Sequence, residues 1–194
     1  MSKQETGAIA RELKSHFFIL GGFAALLWGL EIVDLLLGGA LNRFGIRPRS
    51  LDGLWGILWA PLLHGNFGHL MANTVPLLVL GWFVMLRETT DFFVVTLITM
   101  VVGGLGTWLL GHPNSIHIGA SGLVFGYFGF LLLRGYFERS IVSMIFSAVV
   151  MFLYGGLLWG VLPSQPGISW EGHLFGFLGG ILAARLLARS KVPV

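Results

Sequence analysis

The chain has 194 residues, 55% hydrophobic and 11% charged, with a mean hydropathy of +0.83; a soluble core of this size cannot hide that apolar excess, so the chain belongs in a bilayer. The net charge of +3 and pI near 9.7 come from basic residues that mark one side of a membrane, with no nucleic-acid-binding signal beside them. The absence of cysteine excludes structural disulfides, thiolate zinc sites and a cysteine nucleophile together.

Residues 1 to 16 are polar and read as a cytoplasmic N-terminal segment. The apolar run from Phe17 to Leu37 is longer than a signal-peptide core and holds Glu31 and Asp34, so it reads as an uncleaved first span, although Gly38-Gly39-Ala40 mimics a small-residue cleavage site. Residues 38 to 68 are too long for a simple turn and carry Trp55, Trp59 and the apolar run Leu51 to Leu63, which predicts a long first outer loop lying in the membrane interface. Further apolar runs cover 69–86, 92–111, 119–135, 141–158 and 173–188. At about 20 residues per crossing, the chain has room for six spans and no separate soluble domain. The expected fold is an all-α membrane domain over 17–189, closed by a cytoplasmic tail at 190–194. The shorter runs imply tilted helices or helix ends within the hydrocarbon zone.

Lys3, Arg11 and Lys14 precede the first span, Arg87 lies between the second and third, Arg134 and Arg139 flank the turn between the fourth and fifth, and Arg185, Arg189 and Lys191 close the chain. The opposite side has only Arg43, Arg47 and Arg49, all in the first outer loop. The positive-inside rule then makes both termini cytoplasmic, and the second, fourth and sixth spans begin outside. Small residues on the fourth span (Gly122, Gly126, Gly129) and the sixth (Gly176, Gly179, Gly180, Ala183, Ala184) form matching faces suited to close helix contact.

Polar side chains within spans are costly, and three outer span ends carry them. Ser121, in Gly119-Ala120-Ser121-Gly122, has small neighbours that leave its hydroxyl open, though Leu123 breaks the G-x-S-x-G pattern. Serine beside glycine in a membrane helix commonly serves packing instead. His173, at the start of the sixth span, reads alone as an interfacial residue, but it shares the depth of Ser121, where an imidazole can take the hydroxyl proton and return it to a leaving amine. His69 and Asn73, four apart at the start of the second span, project from one helix face; they suit either an interhelical hydrogen bond or an oxyanion, beside three helix N-termini directed at one depth.

In this order on these spans, the motifs His64 to Asn73, Gly119 to Gly122 and His173 to Gly180 resemble those of the rhomboid intramembrane serine proteases, in the minimal six-helix bacterial-type form. The resemblance covers Leu63 to Ala184 and implies a rhomboid-like bundle with a Ser-His dyad. Ser121 corresponds to the nucleophile, His173, ahead of Gly176, to the general base and acid, and His69 and Asn73, with the Ser121 backbone amide, to the oxyanion donors. Gly119, Gly122, Phe125 and Gly176 correspond to supporting positions. The family commonly has tyrosine where Phe125 stands, beneath the histidine; here an aromatic platform remains without its hydroxyl. The Trp-Arg pair common in the first loop is missing, since Ala60-Pro61 follows Trp59.

The resemblance implies cleavage of transmembrane segments of membrane proteins near the outer face, in the bacterial inner membrane, without cofactor or metal. A small residue before the cut is part of what it implies. The alternative is an inactive rhomboid-like protein that binds membrane clients. A transporter would need paired discontinuous helices, which the spans do not show. Glu31 and Asp34 suit snorkelling or pairing with the loop arginines. His64, His112 and His117 raise a metal hypothesis, but H-E-x-x-H and carboxylate ligands are missing. Oligomeric state is not readable from the sequence.

Overall fold

The computed structural model describes residues 3–163 and 167–188, so the predicted tail at 190–194 lies outside it. Among the described residues seven α-helices follow one another: α1 (Lys3–Leu36), the single turn α2 (Gly56–Trp59), α3 (Phe67–Met85), α4 (Thr89–Leu110), α5 (Ser121–Glu138), α6 (Ile141–Tyr154) and α7 (Trp170–Leu187). Among the described residues there is no strand, only an antiparallel bridge between Ile46 and His117.

Four helical segments are long and apolar enough to cross a bilayer: Gln4–Leu36, Phe67–Met85, Thr89–Leu110 and Ile141–Val161. Helices α5 and α7 are not among them, because glycine and polar groups occupy positions that a lipid-facing helix gives to large apolar side chains. Helix α5 is an interior element, whereas α7 buries its small-residue face and leaves Leu178, Leu182 and Leu186 exposed. Every residue from Leu123 to Leu131 of α5 is buried, the pattern of a helix surrounded by others. In contrast α6 buries only Ser147 and Val150 and exposes Val142, Ile145 and Phe152.

Local chemistry fixes the helix boundaries. Helix α1 begins at Lys3 rather than Phe17, since the preceding segment is rich in good helix formers and free of proline, and the apolar run supplies the nucleus from which helix propagates back. Asn66 caps α3 by accepting from the backbone N–H of His69 at 2.9 Å, and Ser169 caps α7 by accepting from that of Gly172 at 3.3 Å. Helix α5 starts at Ser121 and not at Gly119, whose φ of +119° is not helical. Helix α6 loosens at Gly155-Gly156 into a 3₁₀ turn through Val161.

The most extensive helix contact joins α5 to α7. A methyl group on Gly176 would strike the carbonyl of Gly122, and one on Gly180 that of Gly126. Backbone therefore meets backbone along this seam, as small residues permit. At the opposite end of the bundle from Ser121, Glu138 receives Arg87, Arg134 at 3.0 Å and the Ser143 hydroxyl at 2.8 Å, tying α5 to the α3–α4 turn and to α6.

Candidate active site

Ser121 is the first residue of α5, and the turn before it is held by the loop that leads into α3. The Gly119 N–H donates to the Ala60 carbonyl at 2.8 Å, and the Ala120 N–H donates to His64 Nε2 at 3.3 Å. To accept that bond His64 must be neutral. Burial, with a smaller contribution from His69, pushes its pKa down to about 4.

The Ser121 hydroxyl lies 2.9 Å from His173 Nε2, and His173 Nδ1 lies 2.9 Å from the carbonyl of Gly160. A carbonyl only accepts, so the neutral imidazole keeps its hydrogen on Nδ1 and turns the lone pair of Nε2 to the serine. Phe125, one turn after Ser121, stacks on the imidazole with ring centroids 4.1 Å apart and planes 10° from parallel. The ring thus has one face packed and one nitrogen anchored. Gly160 cannot carry a side chain without disturbing this: a Cβ there would lie 2.6 Å from Phe125 Cζ and 3.3 Å from His173 Nδ1.

On the other side of the serine, His69 and Asn73 converge on Gly119. A Cβ at Gly119 would lie 2.8 Å from His69 Nε2 and 3.6 Å from Asn73 Nδ2. His69 Nδ1 accepts a long bond of 3.5 Å from the Gly65 N–H, which leaves the hydrogen on Nε2. Asn73 Nδ2 has no hydrogen-bond partner among the described residues. Both side chains therefore stand against Gly119, two residues before Ser121. The Ser121 N–H, first in its helix, has no acceptor within that helix. His69, Asn73, Ser121 and His173 line one cavity of about 790 Å³, together with His117 and Glu171.

The Rhomboid domain family matches this chain over residues 51–190. The chain belongs to the rhomboid family. An uncharacterized protein of Mycobacterium tuberculosis (strain ATCC 25618 / H37Rv) is 47% identical over 187 residues, covering 90% of this chain and 78% of its own length. An uncharacterized protein of Mycobacterium leprae (strain TN) is 45% identical over 177 residues, 87% of this chain and 70% of its own. A Bacillus subtilis (strain 168) protein provisionally named as the rhomboid protease YdcA is 29% identical over 178 residues, 90% of this chain and 83% of its own. With its apolar helices, this rhomboid is an integral membrane protein that has bacterial relatives.

The geometry brings Ser121, His173, His69, Asn73, Gly119 and Phe125 together, and places Gly122 and Gly176 against each other in the α5–α7 seam. Two contributors escaped sequence reasoning. In the sequence His64 opens the motif on the second span and joins His112 and His117 in the metal hypothesis, with no role of its own; in the structure it holds the backbone ahead of the serine. Gly160, which orients His173, sits in an apolar run with no local mark of the role. His112 and His117 do not join His64: the first accepts from the Asn114 N–H at 3.4 Å, and the second bonds Ser115 and Ser169.

Proposed function

We propose that this rhomboid is an intramembrane serine endopeptidase that cleaves transmembrane segments of other membrane proteins near the outer face of a bacterial inner membrane. The observation that carries this reading is the 2.9 Å contact between the Ser121 hydroxyl and His173 Nε2, with Nδ1 already committed to Gly160. A hydroxyl facing an imidazole lone pair is the arrangement an acyl-transfer nucleophile requires.

Ser121 Oγ attacks the scissile carbonyl as its proton passes to His173 Nε2. The negative charge that develops on the carbonyl oxygen meets His69 Nε2–H, Asn73 Nδ2–H and the Ser121 backbone N–H, three donors whose residues line one cavity. His173 Nε2–H then protonates the departing amine, leaving an acyl-enzyme. A water that enters through the cavity gives a proton to His173 Nε2 as it attacks the acyl carbon; the acyl–Oγ bond then breaks, His173 returns that proton to Ser121 Oγ, and the carboxylic acid product leaves.

In this reading all six long helices cross the bilayer, with both termini cytoplasmic as the basic residues of the α3–α4 and α5–α6 turns favour. Helices α3, α5 and α7 then begin on the outside, and the cavity at their N-terminal ends supplies water to a site set below the membrane surface. A second pocket of about 50 Å³ flanks Ser121 between Ile57, Gly103, Gly104 and Thr107, and its size favours a small substrate side chain before the cut.

Purified protein in detergent, given several tagged single-span substrates, tests the reading as wild type, Ser121→Ala and His173→Ala. Cleavage by the wild type alone is the expected result. A wild type that cuts none of the substrates, or a Ser121→Ala variant that cuts equally well, overturns it.

A further inference from the structure

His117 lies four residues before Ser121, in the loop between α4 and α5, and takes no part in the chemistry described above. Its backbone is fixed on both sides by the first outer loop, the N–H donating to the Ile46 carbonyl at 2.9 Å and the carbonyl accepting from the Ile46 N–H at 3.0 Å. Its side chain bridges two serines, with Nε2 2.7 Å from Ser115 Oγ and Nδ1 2.7 Å from Ser169 Oγ.

The hydrogens along this bridge can be assigned. Ser115 donates its hydroxyl hydrogen to the His112 carbonyl at 2.6 Å, so toward His117 it can only accept. Nε2 of His117 must therefore carry a hydrogen, and the neutral ring presents the lone pair of Nδ1 to Ser169. Burial lowers the pKa of this imidazole, and His112 acts in the same direction against the opposing charge of Glu171. Ser169 then donates to Nδ1 while its oxygen accepts the Gly172 N–H, which is the N-cap of α7. The Ser169 carbonyl accepts from the backbone N–H of His173 itself at 3.1 Å.

We infer that His117 is a positioning residue of the dyad, coupling the loop that carries Ser121 to the capped first turn of the helix that carries His173. This rests on the serine-protease reading. The two halves of the dyad stand on different helices, and a nucleophile and base misplaced by an ångström lose much of their rate. Nδ1 of His117 orients the cap hydroxyl, and with it the first turn of α7, from the serine's side of the site. No part of His117 needs to touch substrate.

The test uses the full chain in detergent and a tagged single-span substrate, with kcat and KM determined separately, a fluorophosphonate labelling rate at Ser121, and a thermal unfolding midpoint. His117→Leu fills the space without an acceptor, and His117→Asn places an amide oxygen near the position of Nδ1. The expected result is a fall in kcat of about tenfold or more for His117→Leu with KM changed less than about twofold, slowed labelling, and recovery to within about threefold of wild type in His117→Asn. Ser169→Ala should lower kcat similarly, and His117→Leu should add little on top of it, because both remove one link. That arm also carries the test if His117→Leu does not fold. Wild-type kcat in His117→Leu, equal losses in the Leu and Asn variants, or additive losses with Ser169→Ala overturn this inference alone. A wild type that neither cleaves nor labels overturns the protease reading, and this inference with it.

Discussion

Gly160 and His173 are joined by a 2.9 Å hydrogen bond from the imidazole Nδ1–H to the glycine carbonyl, and that bond selects the nitrogen that faces Ser121. Because a Cβ at Gly160 would also press on Phe125, Gly160→Ala disturbs the anchor and the platform of the histidine together. Its kcat should fall by about tenfold or more with KM nearly unchanged, since misalignment acts on the chemical step. Steady-state kinetics on a transmembrane substrate decide it, and an unchanged kcat contradicts the role given to the carbonyl.

His69→Ala and Asn73→Ala each remove one donor aimed beside Ser121. Loss of a single oxyanion donor costs about 10²–10³ in kcat in well-studied acyl-transfer enzymes, and on the protease reading each variant should fall toward the lower end of that range. Fluorophosphonate labelling of Ser121 should weaken in parallel. Full activity in Asn73→Ala would mean that the unpartnered amide serves packing.

Phe125 supports His173 through its face, not through a hydrogen bond. Phe125→Tyr should keep kcat within about twofold, whereas Phe125→Leu, which loses the flat surface, should lower it by about tenfold. Equal turnover in wild type and Phe125→Leu would show that the stacking has no catalytic weight.

His64 gives the fold a pH dependence. The unfolded imidazole titrates near 6.5 and the folded one at about 4, so between those values the unfolded chain binds the extra proton. The stability that depends on a neutral His64 is fully present above about pH 6.5 and is lost as pH falls through 4, amounting to about 3 kcal/mol at most. His64→Gln keeps an acceptor for the Ala120 N–H without a titrating group. Its unfolding midpoint should decline less steeply from pH 6.5 to 4 than that of the wild type; equal slopes would assign the acid sensitivity elsewhere.

The residues whose type limits what they can do were the ones legible in the chain. A serine between glycines and a histidine at the start of the last apolar run announce themselves because polar groups are costly there, and His69 and Asn73 because they share one helix face. Gly160 was invisible, since what it contributes is a carbonyl that every residue possesses, aimed by a 3₁₀ turn that forms only where α6 loosens. His64 was visible as a histidine but not as a partner of Ala120, a residue 56 positions away whose backbone carries no side-chain signature. Span ends were also blurred. Hydropathy marks where side chains turn apolar, and α1 continues as helix well before that point, starting at Lys3.

The glycine seam between α5 and α7 has a consequence for motion. Where one backbone rests on another there is little slack, so Ser121 and His173 travel as one body. Helix α6 buries only Ser147 and Val150, but the 3₁₀ turn that continues it carries Gly160, so a displacement of α6 reaches His173 through the Gly160 carbonyl. Amide hydrogen exchange should accordingly be slowest across Gly122–Gly129 and Gly176–Gly180 and faster along α6. On the protease reading, the seam keeps the nucleophile and its base in register, while the anchor of the base stays exposed to whatever moves α6.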